Sequence, residues 1–310
     1  MKKITFLILA AFLLFIPIEK SDASSVKTIG LIYSADLSFY RIIHGAVIKY
    51  LNKYGVDTRK IKFIRQRPFP DVVSWNNAAR KLVVYDSDII IAYGSGAAEA
   101  AFSATSSIPV IYGAIDHGLS KIKKIKNGYG SSYTVPIASF IRYLREAKDV
   151  NNLAVVYSPF EPDTVVQYRQ FRQICKELSI NVTGIPVKSV SDIESMLKLE
   201  QFDALFLTGS AIVNYRIKTI YEICRGKKVP VLSIFDGTEE YSLLTITPDA
   251  DRIGRAMAHI IYKLITGRGP VKKRHVLVTK TKIYFNLRLT TELGLRIPMR
   301  LVTSADKVIK

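Results

Sequence analysis

The same short pattern, a buried strand followed by a glycine turn and a helix, occurs twice in this sequence. Asp88–Ser95 reads DIIIAYGS and Asp203–Ser210 reads DALFLTGS, with identical spacing from Asp to Gly-Ser. The apolar run after each Asp predicts a strand buried on both faces, as in a parallel sheet. Each following helix starts with free backbone N–H groups, and these groups together with the helix dipole favour an anion.

Two further pairs of segments flank these units in the same order. Ile29–Ser34 (IGLIYS) matches Leu153–Ser158 (LAVVYS), and Pro109–Asp116 (PVIYGAID) matches Pro230–Asp236 (PVLSIFD). A single match means little, because buried parallel strands are generally rich in Val and Ile. Three matches in the same order predict an internal duplication. We therefore expect two similar α/β lobes within the 310 residues.

Strands that alternate with helices predict a mostly parallel sheet in each lobe. Ligands bind such sheets at the carboxyl ends of their strands. Ser, Gly and Asp residues stand at six predicted strand ends, and these ends line one cleft if the lobes face each other. The six ends are Tyr33-Ser34, Gly94-Ser95, Ile115-Asp116, Tyr157-Ser158, Gly209-Ser210 and Phe235-Asp236.

The residues at these ends suit a zwitterion with an apolar or aromatic side chain. Gly-Ser turns at helix starts suit a carboxylate, Asp side chains suit an ammonium, and aromatic rings provide walls. The aromatic candidates are Tyr33, Tyr112, Tyr133, Tyr157 and Phe160, of which Tyr112 and Tyr157 are expected to be core residues. The predicted ligand-binding residues are Tyr33, Ser34, Gly94, Ser95, Gly96, Asp116, Ser158, Phe160, Gly209, Ser210 and Asp236.

Other acidic residues are expected to be structural. Asp88 and Asp203 precede their strands, so we place them on the far side of each sheet from the cleft. Asp163 follows the loop after the first strand of the second lobe, and we expect it to cap the helix that runs to Leu178.

An enzyme is the alternative class of function. Gly94–Glu99 (GSGAAE) nearly matches the dinucleotide fingerprint G-x-G-x-x-G/A, but it ends in Glu and follows the third predicted strand instead of the first. Ser95 lacks the Gly that a nucleophile elbow needs two residues before the Ser, because Tyr93 stands there, and the four His residues are scattered. We favour binding, with no cofactor and no metal, and a nicotinamide-dependent enzyme remains the alternative.

The first 25 residues resemble an export signal. Lys2 and Lys3 precede the apolar run Ile4–Ile18, and Ser21-Asp22-Ala23 has small residues at the positions that signal peptidase reads. The run is short for a membrane span, and no Cys near the cut indicates a lipid anchor. We therefore expect a periplasmic protein cleaved near Ala23, with an uncleaved anchor as the alternative.

The formal net charge is +19, which favours anionic partners such as nucleic acid or an acidic cell surface. The basic residues are scattered, and only Lys121–Lys126 (KIKKIK) and Lys272–Arg274 (KKR) form clusters. We expect both clusters in solvated connections. No nucleic-acid motif accompanies them, so we expect no nucleic-acid role.

The two cysteines, Cys175 and Cys224, lie on predicted helices after the first and third strands of the second lobe. Such helices usually pack on opposite faces of a doubly wound sheet, which is too far apart for a disulfide. Although an exported protein can form disulfides, we predict two buried thiols.

The end of the chain resembles the substrate-binding components of ABC transporters, in particular the tryptophan- and tyrosine-binding type. Lys282–Lys310 (KIYFNLRLTTELGLRIPMRLVTSADKVIK) has the strand, Asn-Leu pair, Leu-Gly helix end, Ile-Pro and Ala-Asp-Lys-Val-Ile of that family. The resemblance covers nearly all of the chain after the export signal. Supporting segments are Gly94–Ala101, Ile108–Val110, Asp163–Val166, Lys176–Ser179 and Asp203–Leu207.

This resemblance implies the type 1 periplasmic-binding-protein fold, with two Rossmann-like lobes, parallel sheets and a three-crossing hinge that closes on a ligand. It also implies a monomeric importer component that carries a small polar or zwitterionic ligand, such as an aromatic amino acid, to a membrane permease. A ligand sensor for a membrane receptor kinase is the alternative. The implied division is residues 1–23 signal peptide, 26–135 plus 248–268 lobe one, 136–247 plus 269–300 lobe two, and 301–310 tail.

Overall fold

A computed structural model of the protein describes residues 28–117 and 122–310. The predicted export signal, residues 1–23, lies outside the described residues. Within them, strands and helices alternate along most of the chain. The strands are β1 (Thr28–Tyr33), β2 (Lys62–Gln66), β3 (Ile89–Tyr93), β4 (Val110–Asp116), β5 (Gly128–Tyr133), β6 (Asn152–Tyr157), β7 (Asn181–Pro186), β8 (Ala204–Leu207), β9 (Val231–Ser233), β10 (Leu244–Pro248), β11 (His275–Val278), β12 (Thr281–Asn286) and β13 (Lys307–Ile309).

The helices fall between these strands and cover both sheets. They are α1 (Ser38–Lys53), α2 (Val72–Val84), α3 (Ser95–Ala104), α4 (Ile137–Ala147), α5 (Pro162–Glu177), α6 (Asp192–Leu199), α7 (Ala211–Asn214), α8 (Ile217–Gly226), α9 (Ala250–Thr266), α10 (Leu287–Glu292) and α11 (Met299–Thr303). Among the described residues, none of these helices combines the length and apolar character that a membrane crossing needs.

Two sheets divide the strands, which confirms the predicted α/β fold with two lobes. The first sheet has the order β11-β5-β4-β3-β1-β2, and its recorded pairings are parallel. The second has the order β13-β12-β10-β9-β8-β6-β7 and is parallel except where β10 meets β12. The duplicated units β3–α3 and β8–α7 occupy matching central positions in the two sheets.

The chain crosses between the sheets after β5, after β10 and after β11. The third crossing differs from the sequence prediction near Gly269, because β11 (HVLV) pairs with β5 in the first sheet. Residues 301–310 also differ from the predicted tail, since β13 pairs with β12 at the edge of the second sheet. Both strands are too short, at four and three residues, to show a clear alternation in the sequence.

Helix α9 returns to the first sheet and packs closely on α1. Gly254 makes this approach possible, since a Cβ at that position would lie 2.5 Å from Ala46 Cβ and 2.7 Å from the Ile43 carbonyl oxygen. The apolar face of α9, including Ile253, is buried in this contact. The apolar stripe of α9 therefore packs against α1 and completes the core of the first lobe.

Several sequence predictions about side chains away from the cleft are confirmed. Cys175 and Cys224 are buried free thiols. Asp88 accepts a hydrogen bond from the Thr28 N–H at 2.9 Å, and Asp203 accepts from the Asn152 N–H at 2.8 Å. Both carboxylates thus join the starts of neighbouring strands, at the edge of each sheet that is opposite the cleft.

Candidate functional site

Buried polar side chains gather where the carboxyl ends of the two sheets meet. The N-cap and the first two turns of α5, which follows β6, contribute the side chains that connect the two sheets: Glu161, Asp163 and Gln167 are each 0–1 % exposed. Burial of three such polar groups together lowers the stability of the fold unless each has hydrogen-bond partners. Their partners are the turns that the sequence identified as binding sites.

The Gly94-Ser95 turn of the first sheet receives a carboxylate from the second lobe. Ser95 Oγ donates a hydrogen bond to Asp163 Oδ1 at 2.6 Å, and the Asp116 N–H donates to Asp163 Oδ2 at 3.2 Å. The N–H of Ala97 is already taken by Ser34 Oγ at 2.9 Å. The anion predicted at this helix start is thus present and belongs to the protein. A dinucleotide phosphate would meet this carboxylate, which argues against the nicotinamide alternative.

Asp163 does not cap the helix as its sequence position predicts, because Glu161 occupies the N-cap position. Helix α5 begins at Pro162, and its N-cap residue, Glu161, makes no side-chain capping bond to the helix. Pro162 has no N–H to cap and favours the first helical position. Asp163 Oδ1 also accepts from its own successor, the Thr164 N–H, at 3.1 Å. The carboxylate points into the interlobe space because Ser95 and Asp116 offer donors there.

The Gly209-Ser210 turn of the second sheet holds a carboxylate in the same way. Glu161 accepts hydrogen bonds from the Ser210 hydroxyl, from the Ala211 N–H at 2.7 Å and from the Ile212 N–H at 3.3 Å. The two duplicated turns thus each bind one carboxylate of the Glu161–Asp163 segment. Sequence analysis predicted the anion preference of these turns but not that the chain itself satisfies it.

Gln167 connects the two sheets one helical turn further along α5. Its Nε2 donates to Asp116 Oδ2 at 2.8 Å, and its Oε1 accepts from the Gly209 N–H at 2.8 Å. The amide can do both because it carries a donor and an acceptor. Together with the contacts of Asp163, it holds the first lobe against the second.

Two buried tyrosine hydroxyls at this interface make no well-formed hydrogen bond to the residues that the structure describes. Tyr40 and Tyr133 are each 0 % exposed, and neither hydroxyl has a hydrogen-bond partner among the described residues. A Cβ on Gly94 would lie 2.6 Å from the Tyr40 hydroxyl, and one on Gly209 would lie 2.8 Å from the Tyr133 hydroxyl. Both hydroxyls therefore lie beside the two turns. Buried polar groups are nearly always hydrogen-bonded, so both hydroxyls are available to a further partner.

Aromatic rings from both lobes meet next to these hydroxyls. Phe39 of α1 stacks on Phe235, which follows β9, with a centroid separation of 4.8 Å. Tyr40 contacts the same Phe235 ring edge-on at 5.8 Å. The rings form an apolar wall beside the acidic groups, and stacking is the usual contact of such rings with a planar ligand.

The electrostatic character of the interface is acidic. Among the described residues, Asp116, Glu161 and Asp163 have no ion pair with Lys or Arg, and the Asp116 carboxylate contacts the ring of His117 at 3.1 Å in addition to the Gln167 amide. Burial raises the pKa of Glu161 to about 7 and that of Asp163 to about 7, despite the hydrogen bonds that favour their charged forms. A cation in this space would stabilise the charged carboxylates.

We expect the ligand-free protein to lose stability through Glu161 as pH rises from 4.5 to about 7. The raised pKa means that the folded protein binds more protons than the unfolded chain in this window, so the free energy of unfolding falls as pH rises. Urea unfolding of wild type and Glu161→Gln at about pH 5 and about pH 8 measures this effect. The amide does not titrate, so the variant should lose less stability; equal losses in both proteins would contradict the prediction.

The remaining predicted residues lie around this centre rather than in it. Tyr33 is buried against Tyr93, with stacked rings 4.9 Å apart. Ser158 Oγ accepts from the Phe160 N–H, and the Phe160 ring is 46 % exposed in a groove beside Trp75 and Gly96. Asp236 contacts the Tyr284 hydroxyl at 3.4 Å. Their role in ligand binding stays a prediction.

Sequence analysis missed Tyr40, Glu161 and Gln167. Tyr40 stands on the stripe of α1 that looks like ordinary core. The acidic residue beside Pro162 looks like part of a solvated loop, and a lone Gln on a helix gives no signal. Only the pairing of the two sheets brings these residues together, so a local pattern could not identify them.

No group of His, Cys, Asp and Glu within the described part of the chain is arranged to hold a metal ion.

Comparison with known proteins agrees with this architecture. The family model for ABC transporter substrate binding proteins matches residues 37–309. The tyrosine-binding protein of Clostridioides difficile (strain R20291) is 21 % identical over 262 residues, which is 81 % of this chain and 76 % of that protein.

Solved structures share the fold at low identity. An ABC domain from Streptococcus pneumonia in complex with L-Trp has a TM-score of 0.85 at 21 % identity and covers 92 % of this chain and 100 % of that one. The ligand-free, open structure of a substrate binding protein with adhesive properties from Clostridium difficile has a TM-score of 0.63 at 20 % identity, with 92 % and 99 % covered. The match to residues 37–309 spans both sheets, and the chain belongs to the ABC transporter substrate-binding protein family.

Proposed function

We propose that this protein is an extracytoplasmic solute-binding protein of an ABC importer, which binds an amino acid between its lobes and presents it to a membrane permease. The family match and the predicted export signal support this role. The observation that carries the ligand assignment is the pair of unpartnered buried hydroxyls, Tyr40 and Tyr133, beside carboxyls that no Lys or Arg among the described residues neutralises.

Each part of an aromatic amino acid has a complementary group at this interface. The ammonium suits the carboxyls of Asp116, Glu161 and Asp163. The ligand carboxylate suits the O–H groups of Tyr40 and Tyr133, because each is a donor without an acceptor. The ring of the ligand suits the wall formed by Phe39 and Phe235. The relatives that bind tryptophan and tyrosine support this class of ligand.

Closure of the lobes would complete the binding site. Asp163 and Gln167 connect the lobes by hydrogen bonds, and the higher TM-score with the tryptophan complex than with the open structure supports a closed arrangement. Water leaves the space between the lobes as they close, which strengthens polar contacts with the ligand. An open lobe arrangement would admit the ligand, as in other hinged receptors.

Isothermal titration with L-tryptophan, L-tyrosine and three matched fragments tests the proposal. Tryptamine and tyramine retain the ammonium and lack the carboxylate, whereas indole-3-propionate lacks the ammonium. We expect an amino acid to bind most tightly, the amines more weakly and the acid not at all, because only the acid would add an uncompensated negative charge. Binding of indole-3-propionate as tight as that of L-tryptophan would refute the ammonium assignment, and no binding of any amino acid would refute the proposed ligand class.

Two tyrosine variants distinguish a loss of ligand affinity from a loss of folding stability. Tyr133→Phe removes a hydroxyl that lies near the Gln167 amide but makes no well-formed hydrogen bond within the described residues, so affinity should fall by about tenfold while stability changes little. Tyr93→Phe removes a buried hydroxyl that contacts His44 Nδ1 at 2.9 Å, so stability should fall while affinity is unchanged. Titration and urea unfolding of both variants measure these effects. Equal affinity of Tyr133→Phe and wild type would place the ligand elsewhere.

A further inference from the structure

The two lysine-rich clusters of the sequence, far apart in the chain, lie together at one edge of the first sheet. The guanidinium of Arg274 donates hydrogen bonds to the main-chain oxygens of Ile125 and Gly128, each at 3.0 Å, and to that of Lys126. The Gly130 N–H donates to the Arg274 carbonyl oxygen at 2.8 Å. The loops before β5 and before β11 are thereby fixed side by side.

Four exposed lysines on these loops form what we call the basic edge: Lys124, Lys126, Lys272 and Lys273. None of the four forms an ion pair with a carboxylate in the described part of the chain, although the protein forms such pairs elsewhere. The sequence explains this, because residues 117–145 and 252–291 contain no Asp or Glu. The basic edge is therefore a region of uncompensated positive charge, and such a region attracts anions over roughly a Debye length.

The position of the basic edge argues for a membrane as the partner. The strands of the first sheet are parallel, so the starts of β5 and β11 lie at the edge away from the cleft, together with Thr28 at the start of β1. If the apolar run Ile4–Ile18 were retained as an uncleaved anchor, the chain would continue from it into the lobe at this same edge. Leu277 on the outermost strand is 52 % exposed, which adds an apolar contact beside the lysines.

We propose that the basic edge binds the phosphate headgroups of anionic phospholipids and holds the lobe edge opposite the cleft against the membrane surface. Lysine ammonium groups attract lipid phosphates as point charges, and several together produce stable, salt-dependent association. Exposed Leu277 favours a lipid surface over nucleic acid, whose backbone offers no apolar layer. This proposal does not depend on which ligand occupies the cleft.

Sedimentation with lipid vesicles tests the proposal on the chain without residues 1–23, so that the apolar run cannot contribute. Wild type should bind vesicles of phosphatidylcholine with about 30 % phosphatidylglycerol and should not bind pure phosphatidylcholine, and binding should weaken with salt. Reversing the four lysines of the basic edge to Glu should lower the partition coefficient by at least about a hundredfold.

A charge-matched control distinguishes the effect of the basic edge on vesicle binding from the effect of the overall net charge. Lys176, Lys188, Lys218 and Lys228 are exposed lysines of the second lobe without ion pairs among the described residues, and their reversal to Glu changes the net charge equally. This control should keep most of the vesicle binding. Equal loss in both variants, or tighter binding of wild type to duplex DNA than to anionic vesicles at equal phosphate concentration, would overturn the proposal. Thermal unfolding shows that each variant is folded.

Discussion

Replacing Asp163 by Asn is expected to weaken amino-acid binding by about a hundredfold. The carboxylate of Asp163 accepts hydrogen bonds from two groups of the first lobe, the Ser95 hydroxyl at 2.6 Å and the Asp116 N–H at 3.2 Å. The amide of Asn has one acceptor atom and would turn its NH2 group towards one of these donors. Hydrogen bonds to charged groups contribute about 1.5–3 kcal/mol each, so the closed arrangement should lose on the order of 3 kcal/mol.

Titration with L-tryptophan and L-tyrosine measures this loss, and small-angle X-ray scattering measures closure independently of the ligand. Asp203→Asn is the matched control, because Asp203 also accepts hydrogen bonds from the Asn151 and Asn152 N–H groups, at 2.9 and 2.8 Å, but on the far edge of the second sheet. The control should lose stability and keep its affinity. If Asp163→Asn binds as tightly as Asp203→Asn, the cross-lobe contact does not stabilise the bound form.

Replacing Gly254 by Leu should destabilise the protein by at least about 3 kcal/mol, because overpacking costs most where the neighbouring atoms cannot move. A Cβ on Gly254 would lie 2.7 Å from the Ile43 carbonyl oxygen and 3.0 Å from the Val47 nitrogen, both in the backbone of α1. Helices α1 and α9 would have to separate, and the first lobe would lose buried apolar surface. The midpoint of urea unfolding measures the change.

Gly45→Ala provides the control within the same pair of helices. Gly45 lies on the exposed side of α1, and a Cβ there would have no atom within 4 Å. Ala is favoured over Gly in a helix by about 1 kcal/mol, so this variant should be more stable than wild type. A Gly254→Leu protein as stable as wild type would show that the two helices do not need this close approach.

The two-lobe fold could be predicted from the sequence because each duplicated unit carries its information locally. The apolar run Ile89–Ala92, the turn at Gly94 and the following Ala-rich segment each favour the observed structure independently of the rest of the chain. The buried thiols could be predicted for a related reason, since the strand order of a doubly wound sheet decides which face each helix covers.

The candidate binding interface could be predicted only in part. The positions of Ser95, Asp116 and Ser210 at the carboxyl edges of the sheets were predicted correctly. The rule that parallel sheets bind ligands at the carboxyl ends of their strands depends on strand direction alone. The partners of Ser95 and Ser210 come from another lobe or another loop, 68 and 49 residues away in sequence. No local pattern distinguishes a carboxylate that caps its own helix from one that reaches across a domain interface.

The edge strand β11 was missed because its flanking lysines resemble a solvated loop.

The helices that follow the first strand of each sheet begin differently, and this difference has a consequence for substitutions. The second and third residues of α1 are Phe39 and Tyr40, whereas those of α5 are Asp163 and Thr164. The start of α1 supplies aromatic rings to the interface, and the start of α5 supplies a carboxylate. Substitutions at the start of α1 would therefore alter the aromatic wall that Phe39 shares with Phe235, whereas substitutions at the start of α5 would alter two of the three buried carboxyls and leave Asp116 unchanged.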